Sequence, residues 1–75
     1  MSKRPDVLLR FEYHILIDDL CAHYRRSGFY AHRVAAGLVR VGRTDLADPV
    51  DESREAELLL WEWDELHPET PAREL

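Results

Sequence analysis

The sequence predicts an all-α fold, a small antiparallel three-helix bundle, and three observations support it. Apolar residues recur at helical spacing in three separate segments. Glycines follow the first two segments, where they can end a helix, and a capping motif opens the third. The links between the segments are short, which favours antiparallel neighbours. The helices are expected at about residues 7–26, 29–41 and 49–66.

The length and composition predict one small domain covering residues 1–75. The chain is 45% hydrophobic and 33% charged, which is typical of a globular protein. Residues 67–75 contain two prolines and are expected to form a loose C-terminal tail. The single cysteine, Cys21, excludes an internal disulfide and fits a reducing compartment. With no signal-peptide pattern and no long apolar run, a cytoplasmic protein that avoids membranes is expected.

The first segment carries two competing patterns. Its helical pattern is an apolar stripe that continues as far as Tyr24. Its strand pattern is an alternation of apolar and polar residues between Leu9 and Ile17. A strand would need a pairing partner, and the only candidate in the rest of the sequence is segment 38–41, whose strand pattern is weak. Helix is therefore favoured, with an α+β fold that uses residues 7–17 as a strand as the alternative.

The second segment is basic. Residues 24–43 hold five arginines and no acid, whereas the whole chain has a net charge of −5. Read as a helix, the segment buries small apolar residues and is closed by Gly42. Three arginines then align on the opposite side, at Arg33, Arg40 and Arg43.

The third segment has the clearest local signal. Asp48 is placed as the N-cap and Pro49 as the first helical residue, where its missing N–H costs nothing. Asp51 and Glu52 follow in the first turn, where the helix dipole favours negative charge. The pair His67-Pro68 ends the helix, because a residue before proline avoids helical geometry. The apolar inner face comprises Ala56, Leu59, Leu60, Trp63 and Leu66.

Apolar residues outside these core stripes suggest a binding surface. Trp61 points about 160° away from Trp63 on a helix, so the two cannot share one face. Leu58 lies behind the main stripe as well, and Leu8, Phe11 and Ile15 form a second narrow stripe on the first helix. One interpretation is that these residues are covered internally. The other is that they meet a second protein chain, since tryptophan is enriched at interfaces.

The predicted function is that of a small acidic protein-binding module, not an enzyme, with no cofactor and no metal. Acidic chains of this size without catalytic motifs include phage-encoded inhibitors of bacterial complexes and antitoxin-like regulators. The partner is expected to be another protein or a second copy of the chain, as a homodimer. Apolar anchors and segregated charge would carry the binding. The expected contact residues are Leu8, Phe11, Ile15, Arg33, Arg40, Arg43, Glu57, Leu58, Trp61 and Asp64.

Two alternatives remain open at this level. A transcriptional regulator could read DNA with the basic second helix, although the acidic C-terminal half would repel phosphates. A small metal-binding or redox protein could use Cys21 and the histidines. The spacings His14/Asp18 and Asp19/His23 each offer two ligands on one helical face, but no companion pair follows at a recognisable spacing.

Overall fold

The computed structural model describes residues 6–43, 45 and 48–75, and it shows an α+β fold. In these residues two α-helices accompany a four-stranded antiparallel sheet, so the predicted all-α helical bundle is wrong. The alternative α+β fold fits. The elements in chain order are β1 (Val7–Arg10), a 3-10 turn (His14–Leu16), α1 (Ile17–Arg25), β2 (Tyr30–Ala35), β3 (Leu38–Gly42), α2 (Pro49–Leu66) and β4 (Arg73–Glu74).

The sheet has the strand order β2-β3-β1-β4, and every neighbouring pair is antiparallel. The two central strands are β1 and β3, with Leu9 opposite Val39 and Leu8 opposite Arg40. This order, read with the element sequence β-α-β-β-α-β, is the ferredoxin-like or split βαβ arrangement. Both helices pack on one face of the sheet, which leaves the other face open. Such a topology hosts many unrelated functions, so it does not assign one here.

The first segment uses both of its competing patterns in succession. Val7, Leu9 and Phe11 alternate toward the core, as the strand pattern indicates. The chain then turns through the 3-10 turn, and helical spacing takes over only from Ile17. The predicted helix over 7–26 is therefore wrong in its first half. The segment 38–41, which was expected to be too weak a partner, forms most of β3 and pairs with β1.

The predicted second helix is instead the hairpin of β2 and β3. Gly37 lies in the two-residue link between the strands at φ +73°, a left-handed conformation that glycine adopts without strain. Ala31, Val39 and Val41 are buried against the helices, whereas Val34 is exposed. The small apolar residues of this segment satisfy a helical and an alternating pattern at once, and pairing with β1 selects the strands.

Helix α2 coincides with the range that its capping motif indicates. The Asp48 side chain accepts a hydrogen bond from the Val50 N–H at 2.9 Å. Glu52 is buried, and its carboxylate accepts the backbone N–H of Arg43 at 2.7 Å, which ties the end of β3 to the first turn of α2. Ala56, Leu60 and Trp63 pack into the core.

The C-terminal residues are held in place and do not form the predicted loose tail. The Trp63 indole donates to the Thr70 carbonyl at 2.9 Å, and the Asp64 carboxylate accepts the Ala72 N–H at 3.0 Å. Ala72 is buried, and β4 then pairs with β1 at the edge of the sheet. None of the described helices has the length and apolar character needed to cross a membrane.

Candidate partner-binding surfaces

The solvent side of α2 carries exposed apolar side chains. Trp61 is 58% exposed and Leu58 is 50% exposed, although Trp63 on the same helix is only 2% exposed. Leu58 and Trp61 are three residues apart, so their side chains are neighbours on the helix surface. Val50 is exposed on the same side of α2, at the N-terminal end of the helix. We call Val50, Leu58 and Trp61 the α2 ridge.

Buried hydrogen bonds from α1 hold α2 in place beneath this ridge. The Tyr24 hydroxyl donates to the Ala56 carbonyl at 2.8 Å. One ring nitrogen of His23 lies 2.8 Å from the Leu59 carbonyl. Burial, together with the carboxylates of Glu74 and Asp64, raises the pKa of Tyr24 well above its ordinary value, so the phenol stays a donor. The ridge is therefore presented on a fixed helix, which lowers the entropy lost on binding.

Acidic side chains surround the α2 ridge. Glu57 and Glu65 lie on the ridge side of α2, while Glu55 and Glu62 flank it, and all four are exposed. Arg54 is the basic exception. Asp64 differs from the other acids because its carboxylate binds the Ala72 N–H and so supports the C-terminal residues. The ridge is thus an apolar patch with a negative rim.

The Leu8, Phe11 and Ile15 stripe of the predicted first helix is divided among three places. Leu8 is half-buried on the open face of the sheet. Phe11 is 1% exposed and packs edge-on against Tyr13 and Trp63, so its ring offers no surface to a partner. Ile15 is 83% exposed on the 3-10 turn, beside Tyr13. Of the three, only Ile15 is exposed, and it lies outside α2.

The predicted arginine ridge is also divided. Arg33 is exposed on β2, and Arg40 lies on the open sheet face with its Nε 3.6 Å from the Asp6 carboxylate. Arg43 follows β3, pairs with Asp45 and lies over the Phe29 ring at 5.5 Å. The hydrogen bond that the Arg43 guanidinium donates to the Asp45 carboxylate raises the pKa of Arg43. DNA reading by a basic second helix has no structural basis, because these residues are strands.

The open face of the sheet holds residues that the sequence analysis did not select. Tyr30 on β2 reaches across β3 to hydrogen-bond Asp6, which precedes β1. A Cβ at Gly42 would come within 2.5 Å of the Tyr30 hydroxyl, so this glycine lets the ring lie across the strand. The His32 ring is nearly parallel to it, at an interplanar angle of 21°. Arg10 and Arg73 occupy the other end of the face.

The sheet edges are poorly suited to pairing with another chain. Edge strand β2 has a register shift between Arg33 and Ala35, and a bulge there twists the strand away from a new partner. Arg33 is opposite Val39 and points to the helix side of the sheet, a charge placement that discourages strand addition. The other edge, β4, has only two residues. Binding by the faces is therefore favoured over binding by the edges.

Among its described residues, the structure does not bring the histidines and Cys21 together into a metal-binding cluster. Over residues 6–43, 45 and 48–75, no group of three or more histidine, cysteine, aspartate or glutamate side chains is arranged to hold a metal ion. His23 is engaged with α2, and His67 stacks on Trp63 with ring centroids 3.7 Å apart. Burial raises the pKa of the Cys21 thiol, which disfavours the reactive thiolate.

No protein-family model, curated protein or solved structure matches this chain.

Proposed function

We propose that this protein is a small protein-binding module whose principal contact is the α2 ridge, with Trp61 as the main anchor. The observation that carries the proposal is the exposure of Trp61 and Leu58, at 58% and 50%, on a helix held by buried hydrogen bonds. Scattered exposed leucines are ordinary on a protein surface. Tryptophan, in contrast, is enriched among binding hot spots, and Trp61 is exposed on a helix that is held in place.

The rim of the ridge indicates the chemistry of the partner. Glu57, Glu62 and Glu65 give the rim negative charge, so the complementary surface has an apolar pocket bordered by lysine or arginine. Charge of this kind speeds association and fixes orientation more than it adds affinity. A module that covers such a pocket acts as an accessory, regulatory or inhibitor protein without chemistry of its own. The lone cysteine, buried as a thiol, fits the cytoplasmic location that the composition predicts.

The test is capture with matched variants, followed by direct titration. Immobilised wild-type chain and its Trp61→Ala variant are exposed to an extract of the source cells. Proteins retained only by the wild type are identified, purified and titrated by calorimetry. Trp61→Ala is expected to weaken binding at least thirtyfold, which corresponds to a hot spot of about 2 kcal/mol. Leu58→Ala is expected to weaken it less.

Ile15→Ala is the control, because Ile15 is at least as exposed as Trp61 and lies on the 3-10 turn, outside α2. Its affinity should equal that of the wild type. Equal loss in both variants would indicate general surface stickiness and would overturn the proposal. Loss of helical content in Trp61→Ala would also count against it, since the residue would then support the fold.

Light scattering separates self-association from binding to a different protein. A homodimer that survives high salt and is abolished by Trp61→Ala would identify a second copy as the partner. A dimer lost at high salt would instead point to contacts between opposite charges, because salt screens exposed pairs. A monomer of about 8.8 kDa at all concentrations would assign the ridge to a different protein.

A further inference from the structure

Two arginines face each other across neighbouring strands on the open face of the sheet. Arg10 on β1 is directly opposite Arg73 on β4, so their side chains emerge on the same face. Residues paired in this way have Cβ atoms about 4.5–5.5 Å apart, and like charges so placed destabilise a sheet. An arrangement with this cost calls for a counter-charge between the two guanidinium groups.

The chain supplies only part of that counter-charge. Glu12 is 3.8 Å from Arg10, a loose contact, and its side chain is 72% exposed. Arg73 forms no ion pair with any residue in the described part of the chain. Its nearest acidic neighbour in sequence, Glu74, is opposite Leu9 and therefore points to the other face.

A cleft opens between these two side chains. It has a volume of about 250 Å³ and is lined by Arg10, Glu12, Tyr13, Pro71 and Arg73. We call it the arginine cleft. Tyr13 also lines the cleft, and a tyrosine hydroxyl can donate a neutral hydrogen bond to a ligand held by the two guanidinium groups. The walls come from the end of β1 and the residues after it, and from the C-terminal residues that Trp63 and Asp64 hold in place.

We propose that the arginine cleft binds a phosphate group. Each guanidinium presents a rigid fork of N–H donors that matches two oxygens of a phosphate, so two forks can hold one doubly charged group. A single carboxylate would neutralise only one of the two arginines. Glu12 then acts as the competing internal anion, which the ligand displaces from Arg10.

The cleft has room for a phosphate group. Its volume is about 250 Å³, and it is open to solvent on one side, so an organic group attached to the phosphate can extend out of it. Two sources share this chemistry: a small phosphate monoester, or the terminal phosphate of a single-stranded nucleic acid whose remainder lies on the open sheet face. There Arg40 and the Tyr30 ring could contact it.

The experiment titrates the whole chain, labelled for NMR, with three probes: inorganic phosphate, glycerol 3-phosphate and an oligothymidylate of eight nucleotides that carries a 5′-terminal phosphate. Arg73→Gln and Arg10→Gln are compared with Arg54→Gln, which removes the same charge from exposed α2. At least one probe should perturb the amides of residues 10–13 and 71–73. Losing either cleft arginine should weaken that binding about tenfold or more, and Arg54→Gln should leave it within twofold.

Glu12→Gln gives a change of the opposite sign. Removing the competing carboxylate should tighten phosphate binding severalfold, whereas Glu55→Gln on α2 should not. An ester that binds more tightly than the oligonucleotide supports the small-molecule source. An oligonucleotide that binds more tightly, and loses affinity in Tyr30→Ala, supports the nucleic-acid source. Absence of binding by all three probes, or binding that Arg10→Gln and Arg73→Gln leave unchanged, would overturn the proposal.

Discussion

The solvent side of α2 and the open face of the sheet are two exposed surfaces of this protein, and they differ in charge and in shape. The α2 ridge is convex and apolar, with a rim of glutamates. The sheet face has arginines on three strands, at Arg10, Arg40 and Arg73, and contains a cleft. The helices separate the two surfaces, so the acidic rim cannot neutralise these arginines within one molecule.

The difference shows that a single net charge describes this protein poorly. The total of −5 suggests a chain that repels phosphate. Yet the exposed glutamates of the rim lie on the solvent side of α2, whereas the arginine cleft lies on the open face of the sheet, and salt screens exposed charges that are more than about 10 Å apart. Each surface is therefore expected to attract partners of a different charge. The predictions below separate the two surfaces, beginning with the change that should affect both.

Trp63→Ala should have the largest effect, because this residue supports both surfaces. Its ring is part of the core beneath α2, and its indole holds Thr70 and thereby the C-terminal residues. Truncation of a buried tryptophan costs about 3–5 kcal/mol, a large share of the total stability of a small domain. Urea unfolding measures the loss. Trp61→Ala is the control and should change the free energy of unfolding by no more than about 0.5 kcal/mol.

Asp64→Ala should affect the sheet surface although Asp64 belongs to α2. It leaves the Ala72 N–H without its acceptor, at a cost of about 1–3 kcal/mol. Hydrogen exchange should quicken at Ala72 and at Leu75, whose N–H bonds to the Leu8 carbonyl. Phosphate binding should weaken while capture by the α2 ridge is retained. If exchange stays unchanged and capture is lost, Asp64 is a contact residue, as the sequence analysis expects.

The hydrogen bond from Tyr24 of α1 to the Ala56 carbonyl of α2 should cease to stabilise the fold at high pH. Burial raises the pKa of Tyr24, so the neutral phenol stabilises the fold fully below the unfolded value, near pH 10, and this contribution is lost as pH rises further. Tyr24→Phe should cost about 1 kcal/mol at neutral pH and flatten the decline above pH 10. Urea unfolding from pH 8 to 11.5 tests this.

Cys21 must be controlled in that experiment. Burial raises the pKa of its thiol as well, so it contributes a loss of the same sign at lower pH. The urea unfolding series is therefore repeated with Cys21→Ala added to the wild type and to Tyr24→Phe. A decline above pH 10 that is equally steep with and without Tyr24 would contradict the assignment.

Glu57→Gln should have the smallest effect, and this effect should be confined to binding at the α2 ridge. Removal of one rim carboxylate is expected to slow partner association by up to about fivefold at low salt, with little change in dissociation. Stopped-flow kinetics with the captured partner at two salt concentrations measures both rates. Glu69→Gln, outside α2, is the matched control. A slower association in both variants would indicate attraction by the whole molecule and not by the rim.

The parts of the fold that depend on local chemistry could be predicted from sequence. Helix α2 follows from the Asp48-Pro49 cap and one apolar stripe, and the outward position of Trp61 follows from its angle to Trp63. The hairpin of β2 and β3 could not be assigned in this way, because Ala31, Leu38 and Val41 fit both helical and alternating spacing. Gly37, which makes the turn, was the available signal.

The arginine cleft was beyond sequence reasoning for a different reason. It depends on Arg10 and Arg73, residues at opposite ends of the chain, being in register. That register depends in turn on Trp63 and Asp64 holding the C-terminal residues. A two-residue strand such as β4 has no periodicity of its own. Contacts made across the fold, not propensity, place it.

The two tryptophans give this protein a pair of intrinsic fluorophores with separate meanings. Trp63 is enclosed and stacked on His67, so its emission should be blue-shifted and beyond the reach of aqueous quenchers until the chain unfolds. Trp61 is solvated, so its emission should be red-shifted and readily quenched by iodide or acrylamide. In Trp61→Ala, Trp63 is the single indole left, so its emission reports folding alone. In the wild type, protection of Trp61 from iodide reports occupancy of the α2 ridge, without any attached dye.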